Sequence, residues 1–153
     1  MDDLKKKYSE LQKKFNLPKF EEIDSAFSIK SIETNENIER AIVSKIIEKT
    51  DMFSKMLDSE IIQPEASLAT MHEAAYLTDA DREKTRAIFT RIMKLNREAL
   101  LLSLKNYGGW EKFVKKATKE WDSIKKELIP FYEKILKCWE EEAKTEEEVK
   151  YFG

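Results

Sequence analysis

The chain has one histidine, His72, and one cysteine, Cys138, so chemistry that depends on these residue types has few places to occur. His72-Glu73 begins like the zinc-protease helix signature His-Glu-x-x-His, but Tyr76 stands where the second metal-binding histidine would be. A structural zinc site or an intramolecular disulfide needs more of these residues than the chain holds. We therefore expect His72 to be a partly buried structural residue with satisfied hydrogen bonds, and Cys138 to pack in the core.

Seven acidic side chains lie between residues 58 and 83, against a single arginine, Arg82. Carboxylates can hold magnesium without histidine, which would suit a metal-dependent phosphohydrolase. Their spacing instead favours helix ends and solvated helix faces, where acids near N-termini are stabilising. The phosphohydrolase is our third functional hypothesis, and we assign no catalytic, cofactor-binding or metal-ligating residue. The seven acids are Asp58, Glu60, Glu65, Glu73, Asp79, Asp81 and Glu83.

The chain's three glycines, Gly108, Gly109 and Gly153, exclude the glycine-rich loops that cradle phosphates in P-loop and dinucleotide-binding proteins. With only three prolines as well, the 153 residues offer few turns and many strong helix formers. A sheet with many hairpins is therefore excluded. The sequence predicts an all-α, single-domain bundle of about five amphipathic helices.

The lysines of residues 112–126 form the most specific pattern in the sequence that could indicate a binding function. Residues 112–126 hold six lysines against Glu120 and Asp122, and most of these lysines share the polar side of one predicted helix. Such a lysine ridge could bind nucleic-acid phosphates. It contains no arginine, however, and lysines also commonly solubilise the outer face of a bundle helix. The ridge consists of Lys112, Lys115, Lys116, Lys119 and Lys126, and Lys5, Lys6, Lys7, Lys13 and Lys14 could extend it.

The N-terminal region, residues 1–34, predicts a helix, a short helix and a connector. Leu4, Tyr8, Leu11 and Phe15 form one stripe, and Asn16 with Leu17-Pro18 ends the helix. A short helix follows Pro18, with Phe20, Ile23 and Phe27 on one side. Residues Ser28 to Asn35 alternate apolar and polar residues and predict an extended connector. The stripe of the first helix must dock on the bundle or on a partner.

The main bundle is predicted over residues 35–144. Asn35 or Asn37 caps a long helix to about Ser59, and a short helix begins near Pro64 with Leu68, Met71, His72 and Ala75 on one face. A capping box at residues 78–81, with Asp81 in place of the usual Glu, opens a helix to about Asn106. Gly108-Gly109 then supplies a left-handed helix stop.

The last long helix starts at Trp110 and carries the cleanest apolar stripe. Eleven residues from Trp110 to Trp139 fall within roughly 100° of arc, with an aromatic residue at six of these positions. Pro130 lies inside the helix on its polar side, which predicts a kink near Glu127 in a single helix. Thr145-Glu146-Glu147-Glu148 is expected to cap a last short turn, so residues 145–153 are expected to form a frayed tail.

Protein contact is the function that these patterns favour. The apolar residues of the fifth helix are so numerous near its C-terminal end that the helix must be buried centrally or meet a second chain. We therefore expect a non-enzymatic interaction or oligomerisation module, with a homodimer as one form. The candidate interface residues are Leu100, Leu101, Leu104, Trp121 and Trp139. An accessory nucleic-acid-binding protein that uses the lysine ridge is the alternative.

The cellular setting can be predicted only coarsely. The 28 basic and 30 acidic side chains nearly cancel, and no long apolar run predicts a signal peptide or a membrane span. Rare cysteine favours a reducing cytoplasm, and abundant Lys and Glu are typical of proteins from hot environments. No cofactor is expected.

Overall fold

The computed structural model describes residues 2–33 and 37–152. Within them it contains six α-helices, two short 3-10 turns and no β-strand, which confirms the all-α prediction. The helices are α1 (Asp2–Phe15), α2 (Phe20–Phe27), α3 (Ile38–Ile61), α4 (Leu68–Tyr76), α5 (Asp79–Leu104) and α6 (Trp110–Phe152), and the 3-10 turns are Ile29–Ser31 and Pro64–Ala66.

The core lies where α3, α5 and α6 meet, with α2 packed over α3 and α6. Trp121 of α6 occupies the centre of one contact, because Phe27 of α2 and Phe53 of α3 both pack against it, with ring centroids 6.1 and 5.2 Å away. Ile46, Ile92 and other aliphatic residues fill the rest of the interior. The aromatic stripe of α6 is thus largely used inside the chain.

Helix α1 folds back on its own bundle. Leu4 and Tyr8 are buried, while Leu11 and Phe15 are partly buried against the core. The Tyr8 hydroxyl donates a hydrogen bond of 2.5 Å to the carbonyl oxygen of Pro18, beyond the end of the helix. Phe15 packs edge-on against Trp110 at 5.3 Å. The four-residue stripe read from the sequence is therefore the docking face of α1.

The extended connector predicted from Ser28 to Asn35 is wrong for Ser28 to Ser31, although Ile32 is extended (φ −70°, ψ 131°). Ser28 takes the left-handed conformation (φ +57°), and residues Ile29–Ser31 form a 3-10 turn. The carboxylate of Asp24 stabilises this turn by accepting a hydrogen bond of 2.8 Å from the backbone N–H of Lys30. Ile29 and Ile32 are both buried, so their spacing reflects this turn. Residues 34–36, which include Asn35 and the predicted 34/35 boundary, lie outside the described residues.

Two predicted helix starts are confirmed by side-chain caps. Asn37 caps α3 by accepting a hydrogen bond of 3.1 Å from the N–H of Arg40. At α5, the Thr78 hydroxyl accepts from the N–H of Asp81, and the Asp81 carboxylate accepts in turn from the N–H of Thr78 at 2.9 Å. The start predicted near Pro64 is a 3-10 turn, and α4 itself begins after Ser67, whose hydroxyl caps it.

The reversal between α5 and α6 differs from the prediction in its residues. Helix α5 ends at Leu104, and the left-handed positions are Asn106 (φ +54°), Tyr107 (φ +61°) and Gly109 (φ +79°). Gly108 does not have a positive φ. Tyr107 can hold this strained conformation because its ring packs on the guanidinium of Arg40, 5.1 Å away. Asn106 and Tyr107, together with Gly109, therefore take the left-handed conformations that were predicted for Gly108-Gly109.

Helix α6 runs as one helix from Trp110 to Phe152 with Pro130 inside it. The preference for a single helix across the proline is confirmed, and the kink near Glu127 stays a prediction. The separate last turn predicted after Thr145 is wrong, because the helix continues and the Thr145 hydroxyl donates to the carbonyl of Glu141 one turn back. No described helix has the length and apolarity that a membrane crossing requires.

Candidate functional site

A leucine patch at the C-terminal end of α5 is the clearest exposed apolar feature among the predicted site residues. Leu100, Leu101 and Leu104 are 39, 49 and 81% exposed. Leu104 lies one turn beyond both Leu100 and Leu101, so its side chain neighbours each of theirs. Ala99 and Leu102 of the same segment point into the core. The wide apolar band of α5 therefore divides into an inward face that stabilises the fold and an outward face that the fold does not use.

The two tryptophans predicted with this patch lie elsewhere. Trp121 is 4% exposed and belongs to the core. Trp139 is half exposed, but it follows Trp110 by 29 residues, which places it about 44 Å from the start of α6. The structure thus brings the three leucines together and separates them from both tryptophans.

The lysine ridge lies along the exposed side of α6 and is partly neutralised. The ammonium of Lys116 donates to the Glu98 carboxylate of α5 at 2.9 Å, and Lys126 pairs with Asp122 at 3.1 Å. Among the described residues, Lys112, Lys115 and Lys119 form no ion pair.

Two of the ridge lysines also line a groove. Lys115 and Lys119 border a groove of about 580 Å³ between α2 and α6, opposite Glu21 and Glu22. The groove therefore carries both signs of charge.

The acidic segment divides into separate environments. Asp81 bonds to the ammonium of Lys134 on α6, and this contact lowers the pKa of Asp81 to about 2. Asp79 pairs with Arg82 at 2.8 Å. Within residues 2–33 and 37–152, no group of three or more His, Cys, Asp or Glu side chains is placed to hold a metal ion. The solvated-face interpretation holds for Asp79 and Glu65, which are exposed.

Glu60 and Glu73 contradict that interpretation, because both are buried. Glu60 lies near the end of α3 on its buried face, Glu73 comes from α4, and their carboxyl groups lie within hydrogen-bonding reach of each other. Burial and the neighbouring Glu73 raise the pKa of Glu60 to about 8. The indole N–H of Trp139 donates to Glu73 at 3.1 Å. One oxygen of Glu60, Oε2, is buried without a hydrogen-bond partner.

Tyr132 and Cys138 lie near this acid pair, and His72 packs on the Trp139 that donates to Glu73. The Tyr132 hydroxyl is buried without a partner, and burial raises its pKa to about 12. The ring of His72 packs on Trp139 at 4.7 Å, and its Nε2 lies 3.8 Å from the Glu142 carboxylate without a hydrogen bond. The prediction that His72 is satisfied is therefore wrong, because the tilted stacking on Trp139 holds its Nε2 short of Glu142. Cys138 is buried, as predicted.

A sequence signal for the buried pair existed but was weak. Glu60 follows Leu57 by three residues and Phe53 by seven, so it falls on the core stripe of α3. Glu73 carried no such signal, because it lies outside the predicted face of this helix, whose apolar residues Leu68, Met71 and Ala75 the structure leaves exposed. An acid on an apolar stripe is the mark that could have identified one half of the pair.

Comparison of the chain with protein-family models, curated proteins and solved structures gives no match in any of the three.

Proposed function

We propose that the protein is a helical interaction module that contacts a second copy of itself through the leucine patch of α5. The exposure of Leu100, Leu101 and Leu104 carries this proposal. Leucine side chains left in water forgo roughly 25 cal/mol of stabilisation for each Å² that a partner could cover. A patch on one helix can meet its equal across a two-fold axis, which needs no other protein.

The test compares two single substitutions of equal exposure. Leu101→Lys places a charge in the patch, while Ile129→Lys changes a side chain on α6 that is 48% exposed, against 49% for Leu101. We expect the wild type and the Ile129→Lys variant to sediment as dimers at high concentration and the Leu101→Lys variant as a monomer. A buried charge in the contact without a partner would cost several kcal/mol.

Circular dichroism of both variants is the control for folding. The proposal fails if the wild type sediments as a monomer throughout the concentration range. It fails equally if Ile129→Lys dissociates the dimer as strongly as Leu101→Lys, since the leucine patch would then have no special role.

The alternative is an accessory nucleic-acid-binding protein, and the lack of ion pairs at Lys112, Lys115 and Lys119 favours it. Replacing these three lysines by Glu should abolish binding to a DNA duplex at low salt, and the wild-type affinity should fall steeply as salt is raised. The charge-matched control replaces the exposed Lys84, Lys94 and Lys137 by Glu. Equal losses in both variants would indicate a general charge effect and contradict this alternative.

A further inference from the structure

The two residues that helix α4 buries are both polar. Its buried residues are Thr70 and Glu73, and its apolar residues Leu68 and Met71 face outward, Leu68 with 86% exposure. A helix of nine residues is unstable alone in water, so α4 depends on its contacts with the rest of the chain. The residues that hold it determine whether it stays docked.

The contacts at its centre converge on one carboxyl pair. Glu73 of α4 meets Glu60 of α3 and accepts the hydrogen bond from Trp139 of α6, so three helices are joined at this point. Two buried carboxyl groups can share a hydrogen bond only if one of them carries a proton. Without that proton, two like charges would face each other in a largely buried site.

Neighbouring charges do not relieve this repulsion. Tyr132 and Cys138 face the pair from α6, and neither is a cation. The nearest further charges on α6, Glu141 and Glu142 beside Cys138, are also acidic. On α4 itself, His72 lies beside Trp139.

The nearby cations are already engaged with other groups. Lys134 of α6 is bonded to Asp81, and Arg82 of α5 donates to the Ala74 carbonyl at 2.6 Å and to Asp79. Glu65, in the 3-10 turn before α4, is exposed. Among the described residues, no lysine or arginine is bonded to Glu60 or Glu73.

We propose that the Glu60–Glu73 pair is a pH-sensitive contact, which docks α4 while it holds one shared proton and releases α4 when that proton is lost. This is a property of the chain itself and does not rest on the proposed self-association. Undocking uncovers Cys138, which lies under α4 beside a groove of about 290 Å³ lined by His72, Ala75 and Tyr76.

The direction of the pH dependence follows from the raised pKa of Glu60. Below its ordinary pKa of 4.5, the carboxyl is protonated whether α4 is docked or free, so docking is strongest. Between 4.5 and about 8, only the docked state keeps the proton, and docking weakens as pH rises. Above about 8, both states have lost the proton and the weakening stops.

Cys138 provides the readout, because it is the chain's single cysteine. We would measure its modification by an aromatic disulfide at reagent concentrations where the rate is proportional to reagent, and divide by the rate of a free thiol at each pH. The normalised rate then reports the population of the undocked state. For the wild type, it should rise about tenfold per pH unit between pH 5.5 and 7.5, as expected for the loss of one proton.

Three variants test which residue causes the pH dependence of Cys138 modification. Glu60→Gln replaces the carboxyl at position 60 by an amide, whose N–H can donate to Glu73 without a shared proton, so its normalised rate should be flat over this range. Glu65→Gln, the matched change at an exposed acid, should retain the wild-type slope. His72→Gln should also retain it, which would exclude the histidine beside Trp139 as the source of the pH dependence.

Amide exchange distinguishes local release from global unfolding. Protection of residues 68–76 should fall with rising pH in the wild type, while protection of residues 42–50 in α3 stays constant after correction for intrinsic exchange. A flat wild-type profile, a slope that persists in Glu60→Gln, or a slope that disappears in His72→Gln would each overturn the proposal.

Discussion

Asn96 illustrates how a single polar residue is accommodated in the core. Its side chain is buried on α5, its amide donates to the Thr50 hydroxyl of α3 at 3.1 Å, and its oxygen accepts from Arg97 at 2.6 Å. The Thr50 hydroxyl donates in turn to the Ile46 carbonyl at 2.9 Å. Because a buried polar group is costly without partners, these bonds fix how α3 and α5 are aligned.

Thr50→Val tests this alignment at the residue scale. The substitution preserves volume but removes the acceptor of the Asn96 amide, so we expect the free energy of unfolding to fall by about 1–3 kcal/mol. Thr90→Val is the control, because the exposed Thr90 also donates to a carbonyl four residues back and has no cross-helix partner among the described residues. Urea unfolding should show a change below about 0.5 kcal/mol for Thr90→Val. Equal losses in both variants would contradict the role of Asn96.

The sequence could predict the role of residues that obey the helical period, but not of those that depend on a distant neighbour. Tyr8 and Ile124 lie on apolar stripes and are buried. Asn96 and Glu73 become buried because of partners on other helices, 46 residues away in the case of Asn96 and Thr50. Neither the residue spacing nor the composition of the sequence predicts that Asn96 meets Thr50.

At the scale of the element, α6 shows which features of a helix its sequence determines. Its stripe keeps one phase from Trp110 to Ile135, and the helix continues through Pro130. Pro130 is exposed, so its missing N–H leaves the Lys126 carbonyl where water can reach it. The packing of the apolar stripe therefore stabilises α6 by more than Pro130 destabilises it.

Pro130→Ala should therefore stabilise the protein. Alanine restores the hydrogen bond to Lys126 and removes the ring, and the propensity difference between the two residues leads us to expect a gain of about 1–3 kcal/mol. Thermal unfolding measures the gain, and Ile129→Ala, at the adjacent exposed position, should change stability by less than about 0.5 kcal/mol. An unchanged or lowered melting temperature would mean that α6 requires the bend that proline favours.

Helix ends were predictable where a side chain caps them and not where packing ends them. Asn37 and Thr78 cap as their residue types suggest. The end of α5 depends instead on Tyr107, whose left-handed conformation is supported by the Arg40 side chain from α3. That contact exists only once the bundle has formed.

At the scale of the whole molecule, the sequence predicts which faces are apolar but not which faces meet. The stripe of α6 could have served a partner, yet Phe27 and Phe53 cover Trp121 within the chain. The band of α5 is wider than its neighbours can cover, so its surplus leucines stay exposed. The exposure of the three leucines could therefore be predicted from the excess of apolar residues on α5. The burial of Trp121 could not, because it depends on which helices pack against α6.

The most direct test of the proposed self-contact is capture of one copy of the chain by another. Two differently tagged copies are mixed at high salt, which screens contacts made by the lysine ridge. We predict that wild-type protein retains wild-type protein and retains the Ile129→Lys variant, but does not retain the Leu101→Lys variant. Failure of the wild type to retain itself, or retention that Leu101→Lys leaves unchanged, would contradict the account.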